Sequence, residues 1–154
     1  MVTIVITDPS LTLQTALSDN WTDGNLTSRT TKALMTFSKA VPASQRKFPS
    51  VEIHSLTETR QVRDLGVSRI LVSAFFVAEV WVRVQSAASE GLGNAKSDAW
   101  AIEREVSRII LSKATTLTDL KLSIPETFVN LDELDNPQIV LHRQCTIKAI
   151  YYES

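Results

Sequence analysis

The residue types that could carry chemistry in this chain are few and widely spaced. Its two histidines, His54 and His142, belong to no HExxH, HxH or Cys–His pattern. They could approach each other across a sheet, but two strand histidines are more often exposed or satisfied by neighbours, so no metal centre is expected. The single cysteine, Cys145, lies in an apolar-alternating segment, residues 139–152, and reads as a small buried thiol without an activating neighbour. Gly91-Leu92-Gly93-Asn94 precedes a helical pattern, yet it lacks the third glycine of a dinucleotide cradle and the Lys-Ser/Thr pair of a P-loop. No GxSxG nucleophile elbow occurs. The carboxylates Asp132, Glu133 and Asp135 fall in a turn-rich stretch and read as a solvated loop, where a general acid or base would lack the burial that shifts its pKa. No catalytic residue, cofactor site or metal ligand is therefore assigned, and a non-enzymatic protein is expected.

The elements that would position any site are better marked. Residues 67–84, VSRILVSAFFVAEVWVRV, form the longest apolar stretch and read as one long β-strand. From Ile70 every even position is apolar, while the odd positions change from Leu71, Ser73, Phe75 and Val77 to Glu79, Trp81 and Arg83. Strand side chains alternate faces, so one face is apolar throughout and the other turns polar towards its end. Trp81 on that second face is either a contact under a covering layer or an anchor of a subunit interface, where Trp and Arg are enriched.

Helix starts are marked at Asp8-Pro9, with Leu11, Leu13, Ala16 and Leu17 following at helical spacing, and at Ser97-Asp98. The second helix, 98–113, carries a stripe of Ala99, Ile102, Val106, Ile109 and Ile110, with Glu103, Arg104, Ser107 and Arg108 away from it. Glu105 and Arg108 form a solvated i,i+3 pair. Trp100 is expected to anchor this helix to the sheet and Trp21 to close the first helix against the core. Strands are expected at 2–6, within 26–40, at 51–56, at 119–124 and at 139–152. The polar stretch 55–66 reads as an extended hairpin loop, free to move until a partner orders it, and 85–96 as a small-residue loop. Strands and helices do not alternate regularly, which predicts an α+β domain with a mixed or mainly antiparallel sheet and two helices packed on one face.

Composition sets outer bounds. The 154 residues suit one domain, and 44% hydrophobic with 21% charged residues is ordinary for a globular chain. Sixteen basic against seventeen acidic residues give a net charge of −1, without the basic excess of a duplex-binding protein. The apolar start is short and uncharged for a signal peptide, and Arg69, Glu79 and Arg83 interrupt the long apolar run as a membrane helix. A soluble, intracellular protein with no membrane or specific nucleic-acid partner is expected.

The order of elements, with a strand hairpin around a polar segment, the long apolar strand, the helix AWAIEREVSRIILS and the closing strand RQCTIKAIYYE, resembles tail-terminator and neck (head–tail joining) proteins of long-tailed phages and proviruses. The resemblance covers residues 48–153. It implies a virion structural subunit with two helices on one side of a sheet, closing with copies of itself into a ring, commonly a hexamer, and meeting tail-tube and neck or head-completion proteins. It carries no catalytic residue and no cofactor. Its ring and tube contacts would fall on Glu58, Arg60, Arg63, Asp64, Trp81 and Arg83. A non-viral α+β binding or adaptor module that dimerises through its sheet is the alternative.

Overall fold

In a computed structural model, residues 8–22, 29–62, 70–84, 89–114, 121–123, 129–135 and 138–153 are described. A six-stranded mixed sheet is covered on one face by two helices, the α+β arrangement expected from the order of elements. The elements are α1 (Pro9–Asn20), β1 (Thr36–Lys39), β2 (Ser50–Val62), β3 (Ile70–Arg83), α2 (Ser89–Lys113), β4 (Lys121–Ser123), β5 (Val129–Asp135) and β6 (Gln138–Glu153). The sheet runs β1-β2-β3-β6-β4, with β5 also on β6; β1 pairs parallel with β2 and every other pairing is antiparallel.

The even face of β3 is the floor of the core. Val72, Ala74, Phe76, Ala78, Val80 and Val82 are all buried, beside Val51 and Ile53 of β2 and Cys145, Ile147 and Ala149 of β6. Onto them α2 lays Ala99, Ile102, Val106, Ile109 and Ile110, the stripe its periodicity marks, and α1 lays Leu13 and Leu17. Each large side chain in that layer contributes about 1.5–3 kcal/mol by leaving water. Asp8 caps α1 by accepting from Ser10 N at 3.0 Å, and its other oxygen pairs with Lys39 Nζ at 2.6 Å. Trp21 closes the helix as expected, buried edge-on against Phe37, its indole N–H donating to the Thr30 carbonyl at 3.2 Å.

Several sequence expectations are corrected. β2 does not stop for a loop at residue 55 but runs to Val62, paired with β3 along its whole length through one register shift between Ser55 and Thr57. Residues 55–61 are exposed on both faces, so no hydrophobic alternation was needed to make them a strand. Of the 26–40 stretch, residues 29–40 are described, and among them only Thr36–Lys39 is a strand, following a turn in which Leu34 N and Met35 N both donate to Thr31 O. α2 begins at Ser89, well before Asp98, despite the poor helix propensity of Gly91, Gly93 and Asn94, and this added stretch places Ala95 in the core. Asp98 is consequently no cap; it is buried inside the helix and takes the Arg29 guanidinium bidentately at 2.8 and 2.9 Å.

Glu103 and Glu105 are buried too, not turned to solvent. Glu103 meets Arg143 of β6 at 2.9 Å, and burial pushes its carboxyl above the usual range despite that cation. Glu105 pairs with Arg108 and accepts from Thr22 N at 3.1 Å, while Arg108 reaches Asn20 O at 2.9 Å, tying the end of α1 to α2. Burial raises the Glu105 carboxyl, but these donors outweigh it and hold the group low. Trp100 is 53% exposed, with Arg104 over its ring, and anchors nothing to the sheet. Asp132, Glu133 and Asp135 lie on β5, not in a loop. The strand expected at 2–6 and the start of the long strand at 67–69 lie outside the described residues. No helix among the described residues is long and apolar enough to cross a membrane.

Candidate functional site

The helix-free face of the sheet carries the odd positions of β3, and there the polar turn of the sequence pattern becomes a cluster. Pairing sets Glu52 of β2, Glu79 of β3 and Gln144 of β6 side by side across three strands, and Ser50, Trp81 and His142 in the next row. His54 stands in the adjacent row opposite Val77. Strand partners share a face, so one patch holds two carboxylates and two imidazoles separated by up to ninety residues of sequence.

The contacts are close. Glu79 has His54 Nε2 at 2.8 Å from Oε2, His142 Nε2 at 3.4 Å from Oε1, and accepts from Gln144 Nε2 at 3.1 Å. The His54 approach is short but off the line of an N–H···O bond. Burial pushes the Glu79 carboxyl up, yet the His142 hydrogen bond, the positive fields of both imidazoles and the Gln144 amide outweigh it and hold the group below its ordinary value. Glu52 is wholly buried; its Oε1 accepts from Val41 N at 3.0 Å and its Oε2 from Arg46 Nε at 2.8 Å. The segment carrying Arg46, around a short 3₁₀ turn at Ala43–Gln45, thus crosses this end of the open face. The Arg46 guanidinium lies 3.6 Å over the Trp81 ring, and the other ring contact of Trp81 is a parallel stack on His142 at 3.8 Å.

These groups can hold charge and a cation, but they do not make a nucleophilic triad. The neighbouring hydroxyl, Ser50, is separated from His142 by Trp81 in the strand register. Cys145 faces the helices and is buried as expected, its thiol pushed up to about 12 by burial and then by the negative Glu103. Glu52, His54 and Glu79 place one potential ligand atom each within 4.8 Å of one another. Sequence spacing hid this, although Glu52/His54 and His142/Gln144 are both i,i+2 pairs on strands and Glu79 interrupts an apolar run.

The residues expected to make intersubunit contacts are not brought together. Glu58 and Arg60 are exposed on the outer half of β2, joined at 3.4 Å, with Glu58 Oε1 also accepting from Tyr151 Oη. Trp81 and Arg83 lie at the opposite end of β3, about 30 Å away at ~3.3 Å per residue from Val72, the partner of Arg60. Arg83 is exposed with Phe48 under its guanidinium at 4.6 Å. Trp81 is only 7% exposed within the subunit itself, covered by Arg46 and His142, which agrees with the first of its two expected roles, a contact under a covering layer. Arg63 and Asp64 lie outside the described residues. Comparison with protein-family models and with characterised proteins finds no match.

Proposed function

We propose that this chain is a ring-forming virion structural subunit, acting at the tail terminus or head–tail neck of a long-tailed phage. One observation carries the reading: the β2–β3 hairpin overshoots its cover. β1 pairs with β2 only as far as Ile53, so beyond it the outer edge of β2 has no strand partner among the described residues. Over the same length residues 55–61 are exposed, Leu56 at 55%, while Leu71, Phe75 and Ile150 on the adjoining open face are half-buried. An exposed strand edge is a template for pairing with another chain. Joined edge to a different surface of the next copy, such a contact is heterologous and forms a ring when the rotation between copies closes. Specific interfaces bury about 800 Å² per partner, which a hairpin of this length with its flanking face can supply.

Light scattering behind a sizing column, with negative-stain imaging, tests this. A hexamer-sized mass and annular particles are expected, and Leu56→Glu, which places a charge on the exposed edge without touching the core, is expected to lower the mass while leaving the circular dichroism unchanged. A monomeric mass at millimolar concentration refutes the ring. The half-buried Leu71, Phe75 and Ile150 favour one second reading, an adaptor that dimerises face to face through its sheet. A dimer insensitive to Leu56→Glu selects it.

A further inference from the structure

The geometry points to a binding site for a divalent first-row transition metal, of the zinc type, held by Glu52, His54 and Glu79 on the open face of the sheet. Three features argue for it. The first is convergence: the three potential ligand atoms lie within 4.8 Å of one another. Ligands on a tetrahedral ion with bonds of about 2.1 Å are ~3.4 Å apart, so a side-chain closure of at most ~1.4 Å brings the set together. The donor set, one imidazole nitrogen with two carboxylate oxygens, is the mixed nitrogen–oxygen set that zinc and its neighbours take.

The second is charge. Glu52 and Glu79 stand directly opposite each other on paired strands, a like-charge arrangement that is unfavourable unless compensated. Arg46 supplies one positive charge, to Glu52. The two carboxylates and that one guanidinium leave one negative charge at a site where Glu52 is fully buried and the Glu79 side chain is 14% exposed. A proton on an imidazole or a bound cation completes the balance.

The third separates those two possibilities. His54 Nε2 and Glu79 Oε2 are 2.8 Å apart but not aligned along a hydrogen bond. That is a poor geometry for a shared proton and a suitable one for two ligands lying side by side around one ion. Arg46 and Val41 N–H each occupy one lone pair on different oxygens of Glu52, and a carboxylate offers about four, so the ion need not displace either. Gln144, donating to Glu79 Oε1 at 3.1 Å, holds that ligand from the second shell. Entry is from the outer face, where His54 is 28% exposed. Three protein ligands leave coordination positions for water.

The test uses the full chain, stripped with chelator and titrated with Zn²⁺ by calorimetry and with Co²⁺ by visible absorption. About one ion per chain is expected, with cobalt bands reporting nitrogen–oxygen coordination and zinc competing the cobalt out. His54→Gln and Glu79→Gln should each abolish saturable binding, with circular dichroism confirming that both variants fold. Gln144→Ala should weaken binding about tenfold or more through the loosened carboxylate. No saturable binding at millimolar metal overturns the site. So does binding that survives both His54→Gln and Glu79→Gln, which would place the ion elsewhere on the surface.

Discussion

Replacing Trp81 with alanine separates a subunit's internal packing from its assembly. The indole is 7% exposed, stacked on His142 at 3.8 Å between centroids and 5° between planes, with the Arg46 guanidinium 3.6 Å from its ring centre. Truncating a buried Trp costs about 3–5 kcal/mol. Within that range the stack is worth about 0.5–1.5 kcal/mol and the cation–π contact about 1–2 kcal/mol. Its indole N–H has no hydrogen-bond acceptor among the described residues, which offsets part of the gain. We expect a loss of about 3–4 kcal/mol for Trp81→Ala and about 1 kcal/mol for Trp81→Phe, which keeps a ring and removes the orphaned donor. With a urea slope of roughly 2 kcal/mol/M, the alanine variant should unfold about 1.5–2 M earlier at unchanged slope. The measurement belongs at low protein concentration, where association contributes least. Stability within about 1 kcal/mol of the parent, accompanied by a smaller assembly mass, would refute the reasoning and restore Trp81 as an interface anchor.

Other perturbations probe the remaining polar contacts. Asp8, held at about pKa 2 by the Lys39 ammonium and then by Ser10, stabilises α1 above the unfolded value of 3.8, and that stabilisation is lost as pH falls towards 2. Half exposed, it is worth only about 1 kcal/mol, so Asp8→Ala should lower stability by that amount at pH 7 and by only a small part of it at pH 2, read from denaturant midpoints. Arg143→Met leaves Glu103 buried without its cation and should cost about 3 kcal/mol at pH 7. Because the stranded carboxyl escapes by taking a proton, that deficit should shrink as pH is lowered towards 5; a deficit independent of pH would show that packing, not charge, was lost. Cys145 should resist thiol reagents in the native protein and react on unfolding. Its thiol pKa, raised from 9.0 to about 12, contributes stability that is complete below 9 and declines as pH rises above it.

What the sequence made legible was whatever rests on one element's own period. The even face of β3 and the stripe of α2 repeat at 2 and at about 3.6 residues, and both sets are buried. The outer half of β2 was illegible because residues 55–61 bury neither face, so composition alone resembles a loop; its pairing to β3 is what makes it a strand. The start of α2 was misplaced for a related reason. Ser97-Asp98 carries a capping signature, but the structure uses Asp98 to take Arg29 from a distant segment, a contact no local rule encodes. Glu103 and Glu105 were read as solvated because charged residues usually are, and their partners, Arg143 and Thr22, are likewise remote in sequence.

The carboxylate–imidazole cluster shows the same limit where it bears on function. Each member looks unremarkable in its own strand; the site exists only because the β2–β3 and β3–β6 registers put Glu52, Glu79 and Gln144 in one row. A one-residue slip in either register would turn one strand's members to the other face and dissolve it. The cluster and the exposed hairpin occupy adjoining stretches of β3, with His54 opposite Val77 and the exposed residues of β2 starting at Ser55, and their cover differs. The polar end is already covered inside the subunit, through Arg46, Trp81 and His142, so it does not need a neighbouring copy for its burial. The outer end has no such cover: β1 stops at Ile53, and Leu56 is left 55% exposed on an edge. An assembly that matched these needs would pair along β2 beyond Ile53 and leave the face around Glu79 open to solvent and ions. Leu56→Glu and Glu79→Gln lie about 13 Å apart along the sheet, four residues at ~3.3 Å from Glu52, the partner of Glu79, so they should act independently, the first on subunit mass and the second on metal uptake, with the double variant showing the sum of the two.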